Sequence, residues 1–399
     1  MPVMGLMSTY RQQDVAFVKG EGIWLYDTEG KKYLDAISGI AVCGLGHCHP
    51  RITRAIQDQA ARLVHTSNLY RIPNQEMLGQ KLCEVSGMDA CFFGNSGAEA
   101  NECAIKIARL YGHNRDIDKP SIIVMDHSFH GRTLATLSAT GSRKVQAGFE
   151  PLVTGFVRAP FNDLQAVKTI AQNNPNVVAV LVEPVQGEGG IHIADDAYLK
   201  GLRTLCDEHG WLLMLDEIQT GNGRTGTYFA YQSLGFLPDV VTTAKGLGNG
   251  LPIGACIARG AAAETFKPGN HGSTYGGNPL CCGVALEVVN TLVEENLPAR
   301  AKQLGDSLLA GFRAQLEGAE YVTDIRGKGL LIGIELKDPC AELVMLARAQ
   351  GLLINVTSDN VIRLLPPLIM SDSEADLLVE QLCKLIKVWA ADERAKPRK

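Results

Sequence analysis

The residues with the clearest capacity for chemistry stand at the ends of apolar runs. Leu212-Leu-Met-Leu-Asp216-Glu217 closes one run with two carboxylates, and Val240-Val-Thr-Thr-Ala-Lys245-Gly246 closes another with a lysine. In open α/β sheets ligands sit beyond the carboxyl ends of the strands, which makes Asp216 and Lys245 site candidates. A lysine is seldom buried without a chemical reason. A third segment, Cys91-Phe-Phe-Gly94 followed by Asn95-Ser-Gly-Ala-Glu-Ala-Asn101, reads as a strand turning into a helix, and Ser96-x-x-Glu99 fits a capping box. Small residues at Gly94, Gly97 and Ala98 would let an anion approach the free N–H groups of the first turn, although the same pattern suits an ordinary capped helix. If the strands ending at Asp216 and Lys245 are neighbours, one site holds a carboxylate, an amine and a phosphate cradle. Pyridoxal phosphate requires that set: a lysine for covalent attachment, an acid to keep the pyridine nitrogen protonated, and an anion site.

Periodicity supplies the elements that would position these groups. The consecutive apolar runs at 122–125, 177–182, 212–215 and 240–243 alternate with amphipathic stretches such as 198–209 before Gly210. Unbroken apolar strands between helices indicate a mostly parallel α/β sheet covered on both faces. Beyond about residue 296 the rhythm changes to a helix over 299–316, strand-like runs at 324–335, 352–356 and 361–365, and a last helix from Asp372. These read as a smaller α+β domain, joined by an N-terminal hairpin of 22–26 and 32–34 around Asp27-Thr-Glu-Gly30. The expected division is an N-terminal segment at 1–50, a large cofactor-binding domain at 51–296 and a small domain at 297–399. The tail 393–399 is expected to be frayed.

The composition closes off several alternatives. With 38 Lys+Arg against 43 Asp+Glu the net charge is −5, which argues against a nucleic-acid binder. The apolar runs fall far short of the roughly 20 residues of a membrane span, and the start MPVMGLMSTYRQQD has no secretory signal pattern. Eleven cysteines, an odd number with no CxxC pair, point to reduced thiols in a cytoplasm. Gly46-His-Cys-His-Pro50 has ligands at alternate positions, a poor spacing for zinc, so no metal is expected. Gly221-Asn-Gly-Arg-Thr-Gly226 matches the dinucleotide fingerprint, but it follows Asp216-Glu-Ile-Gln-Thr220 rather than a strand and leads into no crossover helix.

Eight motifs together make the chain similar to the class III, fold-type I pyridoxal-phosphate aminotransferases over about residues 15–390. They are Gly39-Ile-Ala-Val42, Gly46-His-Cys-His-Pro50, Asn95-Ser-Gly-Ala-Glu-Ala-Asn101, Ser128-Phe-His-Gly-Arg-Thr133, Val182-Glu-Pro-Val-Gln-Gly-Glu-Gly-Gly190, Asp216-Glu-Ile-Gln219, Ala244-Lys245 and His271-Gly-Ser-Thr-Tyr-Gly-Gly-Asn-Pro279. The resemblance implies a seven-stranded-type sheet and a homodimer with shared active sites. It implies that Lys245 carries the cofactor, Asp216 meets its pyridine nitrogen, and Gln219 lies near its phenolic oxygen. Phe129 and Ile218 would press on the two ring faces; Ser96, Gly97 and Ala98 would hold the phosphate, with Glu217 nearby. Thr274 would reach the phosphate of the other subunit's cofactor. Singly, Phe129 and Ile218 would read as core and Thr274 as a turn residue.

The resemblance further implies the transamination of an acylated ornithine, N-acetylornithine, with 2-oxoglutarate in arginine metabolism. Arg132 would hold the substrate α-carboxylate, with Ser273 beside it; Arg363 would take the α-carboxylate of 2-oxoglutarate or glutamate, and Glu188 would cover Arg363 in between. Once the substrate amine displaces it, Lys245 would act as a neutral amine that moves a proton. Glu183 would support rather than react. Ile40 stands where ornithine enzymes of the family tend to carry a tyrosine, which leaves room for an acyl group. Two departures stand out, Ala98 for a frequent threonine and Asn249 within a usually all-glycine stretch. Succinylornithine, ornithine and 4-aminobutyrate stay open as substrates. An aminomutase would need neither Arg363 nor an amino acceptor, and a non-catalytic cofactor carrier would not need Lys245, Asp216 and Arg132 together.

Overall fold

The structure is a computed structural model that describes residues 5–395. Chain order gives strands β1 (Phe17–Glu21), β2 (Trp24–Asp27), β3 (Lys32–Asp35), β4 (Ala90–Gly94), β5 (Ser121–Met125), β6 (Phe156–Ala159), β7 (Val177–Val182), β8 (Val185–Gln186), β9 (His192–Ile193), β10 (Leu212–Asp216), β11 (Val240–Thr243), β12 (Gly254–Ala258), β13 (Val322–Lys328), β14 (Leu331–Leu336), β15 (Leu352–Leu353), β16 (Asn355–Thr357) and β17 (Val361–Leu364). Seven of them form the central sheet in the order β4-β12-β11-β10-β7-β5-β6, with β12 antiparallel to both its neighbours. The remaining pairs are parallel. Every residue of β7, β10, β11 and β12 is buried, as an apolar strand covered on both faces must be.

Two four-stranded sheets flank this one. β1, β2 and β3 form an antiparallel meander whose edge accepts β15 in parallel, and β13-β14-β17-β16 is wholly antiparallel. The expected hairpin is therefore β2–β3. The single run read over 352–356 is two strands in different sheets, parted at Ile354, because Leu353 pairs with Asp35 while Asn355 pairs with Arg363. The run 324–335 is likewise a hairpin, β13–β14, turning at Gly329, which takes φ 58°. The last helix begins at Asp372 as expected and runs to Ala395, so helix occupies the first part of the stretch read as frayed; residues 396–399 lie outside the described residues. The glycine run at 221–226 is a loop with no helix at its end, and the next short helical turn starts at Ala230. Among the described residues no helix is long and apolar enough to cross a membrane.

Candidate active site

Asp216 ends β10 and pairs in register with Thr242 of the neighbouring parallel strand β11, three residues before Lys245. The strands are thus adjacent, and both side chains line one cavity of about 440 Å³, within the range of cofactor and small-ligand pockets. Asn95, Ser96, Gly97, Ala98, Phe129, Arg132, Ile218 and Gln219 line it too.

The Asp216 carboxylate is held by three donors. Oδ2 accepts from Asn101 Nδ2 and His130 Nδ1, each at 2.7 Å, and Oδ1 accepts from the Ile218 amide at 3.1 Å. Thr242 Oγ1 donates to Asn101 Oδ1 at 2.7 Å, which fixes the amide so that its nitrogen faces Asp216. The other ring nitrogen of His130 is buried without a partner. Neither His130 nor Asn101 was singled out from the sequence, although both lie inside recognisable motifs; their meeting at Asp216 is a long-range convergence with no local signal.

Lys245 follows Ala244 with φ 46°, a left-handed residue that turns the chain off the strand. Burial lowers its ammonium to about 8, with Arg363 acting in the same direction and Glu188, Asp216 and Glu183 opposing. Glu183 also lines the cavity, accepting the Phe129 amide at 2.9 Å, and burial, then the nearby Asp216, hold its carboxyl well above the usual range.

Gly97 opens the 17-residue helix Gly97–His113. Its N-cap Ser96 accepts the Glu99 amide at 3.2 Å, while the Glu99 carboxylate takes the amide of Asn95 at 2.5 Å, one residue before the capping-box position. Glu99 thereby caps the strand-to-helix loop, and the first-turn amides of Gly97 and Ala98, which have no intrahelical acceptor, remain available to a ligand. A Cβ on Gly97 would meet Ile218 Cδ1 at 2.7 Å, so only glycine allows this helix to approach so closely.

The two arginines differ in state. Arg132 is exposed, with its guanidinium 5.5 Å from the Phe129 ring centre and no ion-pair partner among the described residues. Arg363 is 1% exposed: Nη1 donates to Glu188 Oε1 at 2.5 Å and to the Gly187 carbonyl at 3.2 Å, and Nε and Nη2 donate to Asn355 Oδ1 at 3.0 and 2.7 Å. Burial alone would push the Glu188 carboxyl up, but Arg363, then Lys245 and Gln219, bring it below its ordinary value. Asn355 was not among the expected residues; it pairs in register with Arg363, eight residues further along, across the β16–β17 turn.

Six expected residues are not in the cavity lining: Arg363 and Glu188 stand beside it, with Arg363 Nη1 3.5 Å from Gln219 Oε1, and the others are Ile40, Glu217, Ser273 and Thr274. Glu217 points the other way: Oε2 accepts from Thr220 Oγ1 and the Ala230 amide, and Oε1 from the Tyr231 amide, so this buried carboxylate caps the turn at Ala230 and burial raises it to about 7. Ser273 lies behind Asn95, whose Nδ2 donates to its Oγ at 3.2 Å, and Thr274 is exposed on the outer surface.

Ile40, 38% exposed, stands in the turn Ser38–Ala41, where Ser38, Gly39, Ile40 and Ala41 all have positive φ. The Ala41 and Val42 amides close i→i−4 bonds to the Ile37 and Ser38 carbonyls, making a left-handed helical turn. At about 1–2 kcal/mol per L-residue, Ser38, Ile40 and Ala41 together store roughly 3–6 kcal/mol. Val42, at its end, lines the cavity. Asn249 has φ 43°, the conformation asparagine tolerates, and its side chain ties this segment down by accepting from the Leu45 amide and donating to the Gly46 carbonyl.

The donor set fits pyridoxal phosphate: Lys245 for its aldehyde, Asp216 for its pyridine nitrogen, Phe129 and Ile218 for its ring faces, and the first-turn amides for its phosphate. Comparison with known proteins leads to the same place. The chain is 55% identical over 391 residues to an acetylornithine aminotransferase of Nitrosomonas europaea, covering 98% of this chain and 99% of that protein. The solved ornithine aminotransferase of Toxoplasma gondii matches with TM-score 0.94 at 34% identity, over 97% of this chain and 94% of that one. The acetylornithine aminotransferase of Elizabethkingia anophelis matches at 0.86 and 33%, over 96% of each. The description "Aminotransferase class-III" fits residues 7–386 as a family model, and with Lys245, Asp216 and Arg132 lining one cavity, the chain belongs to the class III aminotransferases.

Proposed function

We propose that this protein moves the terminal amino group of N2-acetyl-L-ornithine to 2-oxoglutarate, giving N-acetyl-L-glutamate 5-semialdehyde and L-glutamate. The observation that carries the reading is the pair of arginines in opposite states around Lys245. Arg132 is free to bind a carboxylate, and Arg363 is covered by Glu188. A donor with one carboxylate needs only the first; an acceptor with two needs both, and the covering carboxylate supplies the exchange.

Pyridoxal phosphate, when bound, supplies an electrophilic aldehyde and an electron sink for the carbon that bears the amine. The chain's own residues do the rest. Asp216, fixed by Asn101, His130 and the Ile218 amide, presents an oriented carboxylate. Lys245, lowered to about 8, is about one-tenth neutral at pH 7, far more than an ordinary lysine, and in that form can take a proton from the substrate carbon. Ile40 and Val42 offer apolar surface to an acyl group and no acceptor for a free α-ammonium.

The working unit is a homodimer in our reading. Exposed Leu69 and Tyr70 (86% and 70%) lie beside the loop of Thr274 and exposed Tyr275, to which Asn68 and Gln75 hydrogen-bond. A second copy seated on this apolar face would bring Thr274 to the neighbouring site. The division of the chain at residues 50 and 296 is supported by the join of β3 to β15. The odd set of thiols supports a cytoplasmic setting.

The test is the visible absorbance of the purified holoprotein, followed on adding N-acetylornithine, succinylornithine, ornithine or 4-aminobutyrate without a keto acid. Fastest bleaching with N-acetylornithine, and recovery with 2-oxoglutarate, is the expected result. Faster bleaching by another amine would move the substrate, and a colourless protein after adding pyridoxal phosphate would sink the reading. Sedimentation equilibrium checks the dimer, and a fully active monomer would remove it.

A further inference from the structure

The left-handed turn Ser38–Ala41 does not hold itself, and the groups that hold it form a small buried cluster outside the cavity. Asp35 is 1% exposed, and its Oδ1 accepts the amides of Ile37 at 3.0 Å and Ser38 at 2.9 Å, the residues where the backbone enters the disfavoured region. Its Oδ2 lies 2.8 Å from His47 Nε2. Asp35 first, with Cys43 acting in the same direction, raises the His47 imidazole to about 10, so it is a cation at neutral pH. The imidazolium thus backs the carboxylate that holds the start of the turn. His47 is fixed in its own right, since its backbone exchanges two hydrogen bonds with Gly22, and a Cβ on Gly20 would stand 2.6 Å from its Cβ. Ser38 Oγ donates to the Leu365 carbonyl at 2.5 Å, fastening the turn to the chain just beyond Arg363.

We propose that Asp35 and His47 are positioning residues for the amine donor, holding the left-handed turn that sets Val42 in the cavity wall, with Ile40 two residues before it, and so the choice between acylated and free ornithine. This rests on the function proposed above and names the groups that enforce its selectivity. The turn is worth its strain only if its shape matters: a relaxed, right-handed backbone over 38–41 would move the aliphatic rim away from the acyl group while leaving Asp216 and Lys245 on their strands.

The test compares wild type, Asp35→Asn and His47→Gln as holoenzymes, by hydrogen exchange of the amides at 38–43 and by kinetics with 2-oxoglutarate. In both variants the amides are expected to exchange about ten-fold faster. The acetylornithine-over-ornithine ratio of kcat/KM should fall by about five-fold or more, through the KM for acetylornithine, with kcat held within about two-fold and the visible band unchanged. Faster exchange with an unchanged ratio would overturn the proposal, as would unchanged exchange. Should either variant fail to fold, Ile40→Gly decides: glycine accepts the left-handed backbone, so exchange should stay slow while the ratio falls, and an unmoved ratio overturns the proposal. A wild-type enzyme with no preference for the acetylated amine would overturn the proposed function and this extension of it. That failure is recognisable because the exchange arm uses no substrate.

Discussion

Asp216 ends one fully buried strand and Lys245 follows two residues after its parallel neighbour, so that, although Lys245 itself takes a left-handed φ of 46°, strand pairing fixes the spacing of the two. Ile40 and Arg363 stand outside the cavity lining, next to its wall residues Val42 and Gln219, and are placed differently: one by a strained turn, the other by an edge pairing between β16 and β17 and a carboxylate from a distant loop. The floor is rigid because its position follows from sheet geometry, whereas the rim is adjustable because each part is held by a few side-chain bonds. Floor residues should therefore control the rate of chemistry, and rim residues the choice and turnover of substrates.

The sharpest way to break this contrast is at the floor. Lys245→Ala should lower kcat by about 10⁴-fold or more, since it removes both the attachment point and the proton carrier; single-turnover rates with N-acetylornithine measure it, and a variant retaining full turnover would sink the assignment. Asp216→Asn should lower kcat by about 10²–10³-fold with little change in KM, because it removes an oriented charge from the point where electron density collects. At the rim, Arg363→Gln should raise the KM for 2-oxoglutarate by about 10–100-fold through loss of charged hydrogen bonds, and leave bleaching by N-acetylornithine nearly intact. Equal losses in both half-reactions would erase the distinction between floor and rim.

The smallest effect sharpens the picture of the floor itself. With the amine of Lys245 near 8 in the apoprotein, its neutral, nucleophilic fraction is about a tenth at pH 7 and about half at pH 8. Acylation of its peptide, read by mass spectrometry, should therefore rise about five-fold over that unit and level off above about pH 9, while an ordinary lysine keeps rising about ten-fold per unit. The sign follows from burial, which disfavours the charged form; a profile still climbing at pH 10 would show a well-solvated amine.

Much of the floor was legible in the sequence because each part is announced locally. An apolar run closing on a carboxylate, another closing on a lysine, and a small-residue helix start all fall within stretches of about ten residues, and the sheet brings them together as periodicity suggests. Glu217 shows the limit of that reading: it adjoins Asp216, yet strand alternation sends its side chain to the opposite side, where it caps another turn. Asn101 and His130 meet Asp216 from 115 and 86 residues away, a convergence that no local pattern states. The rim was the least legible part. The break at Ile354 depends on pairing between the two ends of the chain, Asn355 meets Arg363 only because the β16–β17 register puts them opposite, and the left-handed backbone at Ile40 has no residue type that announces it.

That break at Ile354 links the two sides of the rim mechanically. Leu353 is in register with Asp35, which anchors the turn beneath Ile40, and Asn355 is in register with Arg363, whose guanidinium it holds. Only one residue separates them. The anchor of the turn at Ile40 is thus paired to β15 and the partner of Arg363 belongs to β16, strands separated by a single residue, so the spacing between the two is set by the chain itself.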